Sequence, residues 1–242
     1  MSLGRPSLQA QQCYQFCVQA SNLVYLYTSD KVIKQGGVRP NMERLKERIL
    51  RDGVAVGTEA VKVDSFLNHQ IDVGFMGEIG SELRHRFGDI PREQVDKILT
   101  VESSGIAMAC ATATAFDPQN PPPVVFAKKE LPRTLTDEVW FTEIMSFTKS
   151  KMTAVRIAKK FLCSGERVLI IDDFLAHGQA AAGLVDLIEQ AGAELLGVGI
   201  VIEKAFQQGG KRLRSRGIRV ESLAIIDSIN DGTIVFAEGE ER

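Results

Sequence analysis

The stretch Arg167-Val168-Leu169-Ile170-Ile171-Asp172-Asp173-Phe174-Leu175-Ala176-His177-Gly178-Gln179-Ala180 decides the fold. Four apolar residues, Val168 to Ile171, lead into two adjacent acids. A loop of small residues around one glycine follows, and a helical pattern begins at Gly178. A short, unbroken apolar run bounded in this way reads as a strand buried in a parallel sheet. Asp172 and Asp173 then stand at the carboxyl end of that strand, where open α/β sheets bind ligands. The loop Ala176-His177-Gly178-Gln179-Ala180 opens a helix whose first backbone N–H groups lack intrahelical partners and attract an anion. Small side chains let those groups close on a phosphate, and Gly178 permits a φ that other residues resist. His177 reads as a solvent-facing turn residue, with a cationic contact to the phosphate as the alternative. Two carboxylates for hydroxyls or a metal, beside a phosphate cradle, describe a site for a sugar phosphate.

Strands and helices alternate on both sides of this unit. Upstream, the pattern predicts a helix from Met42 to Asp52, with Leu45, Ile49 and Leu50 on one face and Gly53 just past its end. One or two strands follow between Val54 and Phe66, then a helix from Phe75 to Phe87 and a strand from Lys97 to Glu102. A helix from Ser104 to about Ala115 and a strand from Val124 to Lys128 come next, separated by Pro121-Pro122-Pro123, and another strand is expected from Glu143 to Lys149. The polar stretch from Glu130 to Thr142 reads as a mobile lid or contact region, with Trp140 and Phe141 outside the core. Downstream lie a helix from Gly178 to Ala191, a long apolar strand from Leu195 to Glu203, a short basic helix from Gln208 to Arg216 and two closing strands. This order predicts an α/β fold with a mainly parallel sheet flanked by helices.

The chain has 242 residues, 44% hydrophobic and 25% charged, with a formal net charge of -2. That balance gives no general attraction to nucleic acid or to an anionic membrane. No apolar run approaches the roughly 18 residues that span a bilayer. Cys13, Cys17, Cys110 and Cys163 are too scattered for a disulfide framework, and no second pair joins Cys13 and Cys17 in a zinc site. Reduced thiols in a cytoplasm are the plain reading, and the N-terminus lacks the pattern of a secretory signal. Residues 1–41 differ from the rest: they are rich in Gln and Ser, hold all three tyrosines and end in Gly36-Gly37-Val38-Arg39-Pro40-Asn41. They read as an N-terminal extension of unknown role before a domain spanning 42–242.

Three further constellations carry chemistry. In Thr100-Val101-Glu102-Ser103-Ser104-Gly105-Ile106-Ala107 a strand again runs through a small-residue turn into a helix. Ser103 and Ser104 there are either helix caps or part of a second anion cradle. Two cradles in one sheet suit a ligand with phosphate at both ends. Lys128, at the end of the strand Val124 to Lys128, can meet a pyrophosphate as a point charge, unless it lies in a merely solvated loop. In Val61-Lys62-Val63-Asp64-Ser65-Phe66-Leu67-Asn68-His69-Gln70, Asn68 offers both a donor and an acceptor to a heterocycle edge.

Together, five strings resemble the bacterial xanthine phosphoribosyltransferases, a branch of the type I phosphoribosyltransferases. They are Val61 to Gln70, Glu102 to Ala107, Ser146-Phe147-Thr148-Lys149, Ile170 to Ala176, and Gly199-Ile200-Val201-Ile202-Glu203-Lys204. The similarity runs from Met42 to about Phe236. It implies the type I fold, with a small hood built from N- and C-terminal segments. It also implies transfer of phosphoribose from 5-phosphoribosyl 1-diphosphate to xanthine. By this resemblance Val61, Asn68 and Lys204 contact the purine, and Asp172 and Asp173 lie at the ribose hydroxyls. Ala176, His177, Gly178, Gln179 and Ala180 hold the 5′-phosphate, while Ser103, Ser104 and Lys128 approach the pyrophosphate. Magnesium comes with the diphosphate and has no direct protein ligand. The expected assembly is a homodimer, in the cytoplasm, with no nucleic-acid or membrane partner.

The chain departs from the family pattern at three places. His177 stands where asparagine is usual, Val61 where leucine is commoner, and Leu131-Pro132 where the lid is usually more polar. Two rivals remain open at this point. One is an enzyme on another purine, although Asn68 and Lys204 suit adenine poorly. The other is a diphosphate-sensing regulator, for which 41 weakly basic N-terminal residues are too few to form a DNA-binding domain.

Overall fold

The computed structural model describes residues 42–129, 138–146 and 151–237. The proposed extension, residues 1–41, the part of the lid from 130 to 137 with Leu131-Pro132, and residues 147–149 of the expected Glu143–Lys149 strand therefore lie outside the described residues. Helix α1 (Glu43–Asp52) begins the domain and buries Leu45 and Ile49, while Leu50, expected on the same face, is exposed. Gly53 follows the helix in an extended rather than a left-handed conformation. A hairpin of β1 (Val54–Val56) and β2 (Ala60–Lys62) accounts for the strand signal after it. The alternation then stops in a π-helical turn, Asp64–Asn68, which turns Phe66 and Leu67 into the core. Helix α2 (Val73–Arg86) starts at Asp72, whose side chain accepts the Phe75 N–H.

The main sheet has six strands. In chain order they are β3 (Lys97–Val101), β4 (Val124–Ala127), β7 (Arg167–Leu175), β8 (Glu194–Lys204), β9 (Val220–Asn230) and β10 (Thr233–Phe236). They lie in the order β10-β9-β8-β7-β3-β4, and every pairing is parallel except that of β10 with β9. Residues on β7 alternate between the two faces. Leu169 and Ile171 pack with α2 and with α3 (Gly105–Phe116), whereas Val168 and Ile170 pack with α4 (Gln179–Ala191). Both faces are thus covered, as the unbroken apolar run predicts. From β3 the chain crosses through α3 to β4, and from β7 it crosses through α4 to β8 on the opposite side. The strand order therefore reverses between β3 and β7, and the crevice beyond their carboxyl ends is the favoured ligand site of such a sheet.

The region read as lid and loop differs from expectation. Strand β5 (Val139–Ser146) starts four residues before the expected Glu143 and pairs antiparallel with β6 (Lys151–Ala158), which the sequence pattern left unassigned. The hairpin lays Ile144, Val155 and Ile157 into the core over α4. Trp140 is not outside that core: it is half-buried against it, and its Nε1–H donates to the Leu162 carbonyl at 3.0 Å. Phe141 alone of the aromatic pair stays exposed, at 58%.

The first and last described segments meet at one edge of the sheet. Met42 N–H donates to the Leu223 carbonyl at 2.7 Å, and the Lys46 ammonium lies 5.6 Å from the centre of the Phe236 ring. The hood expected from N- and C-terminal segments is thus anchored on β9 and β10. No helix among the described residues is long and apolar enough to cross a membrane.

A buried ion pair fixes β8 to the short helix α5 (Gly209–Ser215). Glu203 is 2% exposed, and both its oxygens receive Arg214, at 2.8 and 2.9 Å. The Ser222 hydroxyl also donates to it. Removing one partner of such a pair strands the other charge out of water, at a cost of about 3–5 kcal/mol. Arg214→Met is therefore expected to lower unfolding stability by about that amount in a urea titration. A loss below about 1 kcal/mol would show that Glu203 is accommodated without its cation.

Candidate active site

Strand β7 carries Asp172 and Asp173 to the switch point, and both are buried, at 4% and 8% exposure. Asp172 receives the Asp173 backbone N–H at 3.0 Å. Its carboxyl lies against the start of α3: a Cβ added at Gly105 would stand 2.6 Å from Asp172 Oδ1 and 2.1 Å from Thr100 Oγ1. Glycine is needed here because the helix start approaches these two oxygens so closely. Burial pushes the Asp172 carboxyl well above the usual carboxylate range, and the neighbouring Asp173 charge adds to the rise. The Lys129 ammonium acts in the opposite direction.

Asp173 meets the hood. Asn68 Nδ2 donates to Asp173 Oδ2 at 3.3 Å, joining the π-helical turn to the end of the central strand across 105 residues of sequence. An expected purine ligand and an expected ribose ligand are thus neighbours. Val61 lies on β2 and is buried at 8% exposure. The turn of the same hairpin touches the third expected purine residue, since the Lys204 ammonium donates to the Glu59 carbonyl at 2.9 Å. Lys204 closes β8, and burial lowers its pKa while the Glu59 charge partly restores it.

The loop from Ala176 to Ala180 follows directly. Gly178 has φ +80°, a left-handed conformation that an L side chain rarely takes, and it caps α4 at its N-terminus. The Ala176 carbonyl accepts the Gly209 N–H at 3.0 Å, which ties the loop to the start of α5. His177, Gly178 and Gln179 also line a cleft of about 220 Å³ that Arg212 and Arg216 of the α5 segment complete. A larger depression of about 330 Å³ lies around Leu195 and Ile218, near the start of β8, and Arg216 lines it as well.

After β3, the turn of Glu102, Ser103 and Ser104 leads into α3. Ser104 stands at the N-cap of α3 without a side-chain cap bond, and its backbone is already helical. Lys128 is held by its main chain, which exchanges hydrogen bonds with Arg156 at 2.8 and 2.9 Å, and its ammonium lies 5.6 Å from the Phe126 ring. Lys129 is the lysine whose charge reaches Asp172, and its backbone N–H donates to Glu102 Oε1 at 2.6 Å. Both lysines follow Ala127, the last residue of β4.

One framework thus holds two buried carboxylates, a helix-opening loop shaped for an anion, a second small-residue turn, an amide from the π-helical turn and an ammonium from the end of β8. That set can hold a phosphorylated sugar between its ends and set a flat polar ring against it. Comparison with known proteins agrees with this reading. Residues 77–237 match the family model of the phosphoribosyl transferase domain. The chain is 53% identical over 195 residues to a protein of Clostridioides difficile (strain 630) named xanthine phosphoribosyltransferase, covering 81% of this chain and all of that one. A protein of the same name from Bacillus cytotoxicus is 50% identical over 199 residues, covering 82% of this chain and 98% of the relative. Among solved structures, an adenine phosphoribosyltransferase from Rhodothermus marinus aligns with a TM-score of 0.58 at 22% identity, covering 76% of this chain and 98% of that one. The Trypanosoma brucei adenine phosphoribosyl transferase, solved with AMP, pyrophosphate and ribose-5-phosphate, gives 0.59 at 16% identity, covering 75% and 78%. At that distance the solved structures establish the fold alone, whereas identity near one half along the full length of the first relatives goes further: the chain belongs to the xanthine phosphoribosyltransferase family.

Proposed function

We propose that the chain transfers the phosphoribosyl group of 5-phosphoribosyl 1-diphosphate to xanthine, giving xanthosine 5′-monophosphate and pyrophosphate in purine salvage. The observation that carries this reading is the buried Asp172–Asp173 pair, set between the 176–180 loop and Asn68. The names of the family relatives supply the base.

The roles follow from position. Backbone N–H groups of 176–180 at the start of α4 hold the 5′-phosphate. Asp172 and Asp173 take the ribose hydroxyls and favour the positive charge that grows on the sugar as pyrophosphate leaves. Ser103 and Ser104 approach the pyrophosphate with Lys128, and Lys129 joins them as the cation that acts on Asp172. Val61 lines the purine pocket, while Asn68 and Lys204 address the polar edge of the base. No covalent nucleophile is needed when both reactants are held in line.

Magnesium fits these residues as a companion of the diphosphate. Among the described residues no group of three or more acidic, imidazole or thiol side chains converges on one point. Two adjacent carboxylates suit a hard cation that keeps most of its bonds to phosphate oxygens and water. When bound, the ion supplies neutralisation of the departing diphosphate. We place the protein in the cytoplasm as a homodimer, with the exposed Phe141, Met145 and Met152 of the β5–β6 hairpin at or near the contact.

Three outcomes test the reading. Incubation with 5-phosphoribosyl 1-diphosphate and single purines should release pyrophosphate fastest with xanthine, and turnover of adenine in its place would overturn the assignment. Lys204→Ala should lose about 10- to 150-fold in kcat/KM for xanthine, the equivalent of roughly 1.5–3 kcal/mol for a charged hydrogen bond. Equal weakening towards the diphosphate would point to a general structural role.

Asp172→Asn separates catalysis from stability. Because the folded-state pKa of Asp172 is raised, the native state binds a proton there more tightly than the unfolded chain does, so stability is lost as pH rises above the unfolded value. The variant should therefore melt higher than the parent at pH 7, with the gain fading towards pH ~4, while kcat falls about 100-fold or more. A lower melting temperature at pH 7 would contradict the account of that carboxyl.

The role of residues 1–41 is tested by a chain beginning at Met42. It should fold and turn over xanthine at the full rate, since the C. difficile relative is matched over its whole length within 195 residues. A large drop in kcat would assign the segment to the active enzyme.

A further inference from the structure

Lys204 does not act alone at the end of β8. The chain leaves it in a single 3-10 turn, Ala205–Gln207, which brings Gln207 back beside it. Both side chains donate to the same oxygen, the main-chain carbonyl of Glu59, Lys204 Nζ at 2.9 Å and Gln207 Nε2 at 3.3 Å. Glu59 belongs to the turn that joins β1 to β2. Two donors from the sheet thus converge on one carbonyl of the hood. The direction of the Gln207 amide follows from this contact, because turning it over would set two oxygens against each other. In that direction Oε1 of Gln207 is shut off from solvent and has no hydrogen-bond partner among the described residues. A buried amide oxygen left in this way is unfavourable until an N–H reaches it.

These atoms form a recognition pattern. Two donors meet a carbonyl oxygen, and an acceptor beside them awaits an N–H. The complement is a carbonyl with an N–H next to it, a unit that lies along the edges of oxopurines. Adenine lacks it, presenting an amine in place of the carbonyl and a bare ring nitrogen in place of the N–H. A peptide carbonyl satisfies the two donors and leaves Oε1 unpaired, whereas an oxopurine edge satisfies all three atoms.

We propose that Gln207 is a specificity-determining residue for the purine: with Lys204 it takes a ring oxo group through Nε2 and the adjacent ring N–H through Oε1, in place of the Glu59 carbonyl. This rests on the reading that Lys204 faces the base. Since Glu59 contributes its main chain, the exchange is a movement of the β1–β2 turn and not of the Glu59 side chain.

The test compares the parent with Gln207→Met and Gln207→Glu. The measurements are kcat/KM for xanthine, KM for 5-phosphoribosyl 1-diphosphate, the melting temperature, and inhibition of xanthine turnover by hypoxanthine and by adenine. Gln207→Met keeps the length and loses both polar atoms. It should lower kcat/KM for xanthine about tenfold or more and weaken hypoxanthine in parallel. Adenine inhibition should be no weaker than in the parent, and KM for the diphosphate should stay within about twofold, a change too small to signal lost binding energy. Gln207→Glu sets a carboxylate against the oxo group and should be worse still for both oxopurines. Should Gln207→Glu fail to fold, seen as a collapsed melting temperature, the neutral Gln207→Met decides. The proposal is overturned if Gln207→Met leaves xanthine turnover within threefold of the parent, or if the diphosphate and oxopurines weaken together. Lys204→Ala separates the two levels. If it too leaves xanthine kinetics unchanged, the base does not lie at this corner and the parent reading fails. If it is impaired while the Gln207 variants are not, the present inference alone fails.

Discussion

Two carboxylates held out of water at the end of the central strand are the constraint around which the molecule is arranged. Asp172 and Asp173 are nearly inaccessible, and a buried carboxylate is tolerable only where hydrogen bonds or cations compensate it. The compensation arrives from separate parts of the chain. The Asp173 backbone N–H binds Asp172, Lys129 acts on it from the end of β4, and Asn68 reaches Asp173 from the hood. The compensation is partial: burial and the neighbouring Asp173 charge push the Asp172 carboxyl up despite these contacts. On the proposed function, the sugar that develops positive charge lies against this pair.

The hood is held at the points where recognition is expected. Asn68 and Lys204 both bridge between hood and sheet, one through Asp173 and the other through the Glu59 carbonyl. Away from these points the hood rests on the far edge of the sheet, through Met42 on Leu223 and Lys46 over Phe236. A ligand that replaces the bridging contacts leaves the anchoring ones in place. Loss of two bridges of ordinary hydrogen-bond strength lies within what one polar base can restore.

Where the sequence pattern was strong, it located the parts correctly. The Val168 to Ile171 run, the Asp172-Asp173 pair and the Gly178 turn are local signals, because a strand buried on both faces and a glycine at positive φ each leave a mark on adjacent residues. The β5–β6 hairpin was less legible. Its inward residues Ile144, Val155 and Ile157 are spread over two strands whose outer positions include Phe141, Met145 and Met152, so no clean polar face marks the alternation. Which of Lys128 and Lys129 turns its charge towards Asp172 is likewise not a local signal. Adjacent residues in a strand differ in face, and the parity is set by pairing partners distant in sequence, here the bridge to Arg156. Asn68 meeting Asp173 could not be read from spacing at all, since a tertiary contact joins them, and Gln207 lay beyond the last of the strings that carry the resemblance.

The 176–180 loop takes its shape from main-chain contacts. The loop conformation is set by the left-handed Gly178 and by the Ala176 carbonyl, which binds the Gly209 N–H. At Gly209 an added Cβ would stand 2.3 Å from the Ala176 oxygen and 2.7 Å from the Gly178 nitrogen, so the two segments touch main chain to main chain. That carbonyl faces the α5 side, while the first-turn N–H groups of a helix such as α4 have no acceptor within the helix and suit a phosphate. The His177 side chain instead lines the cleft shared with Arg212 and Arg216. A change of residue at 177 therefore alters the wall of that cleft while the backbone cradle keeps its shape.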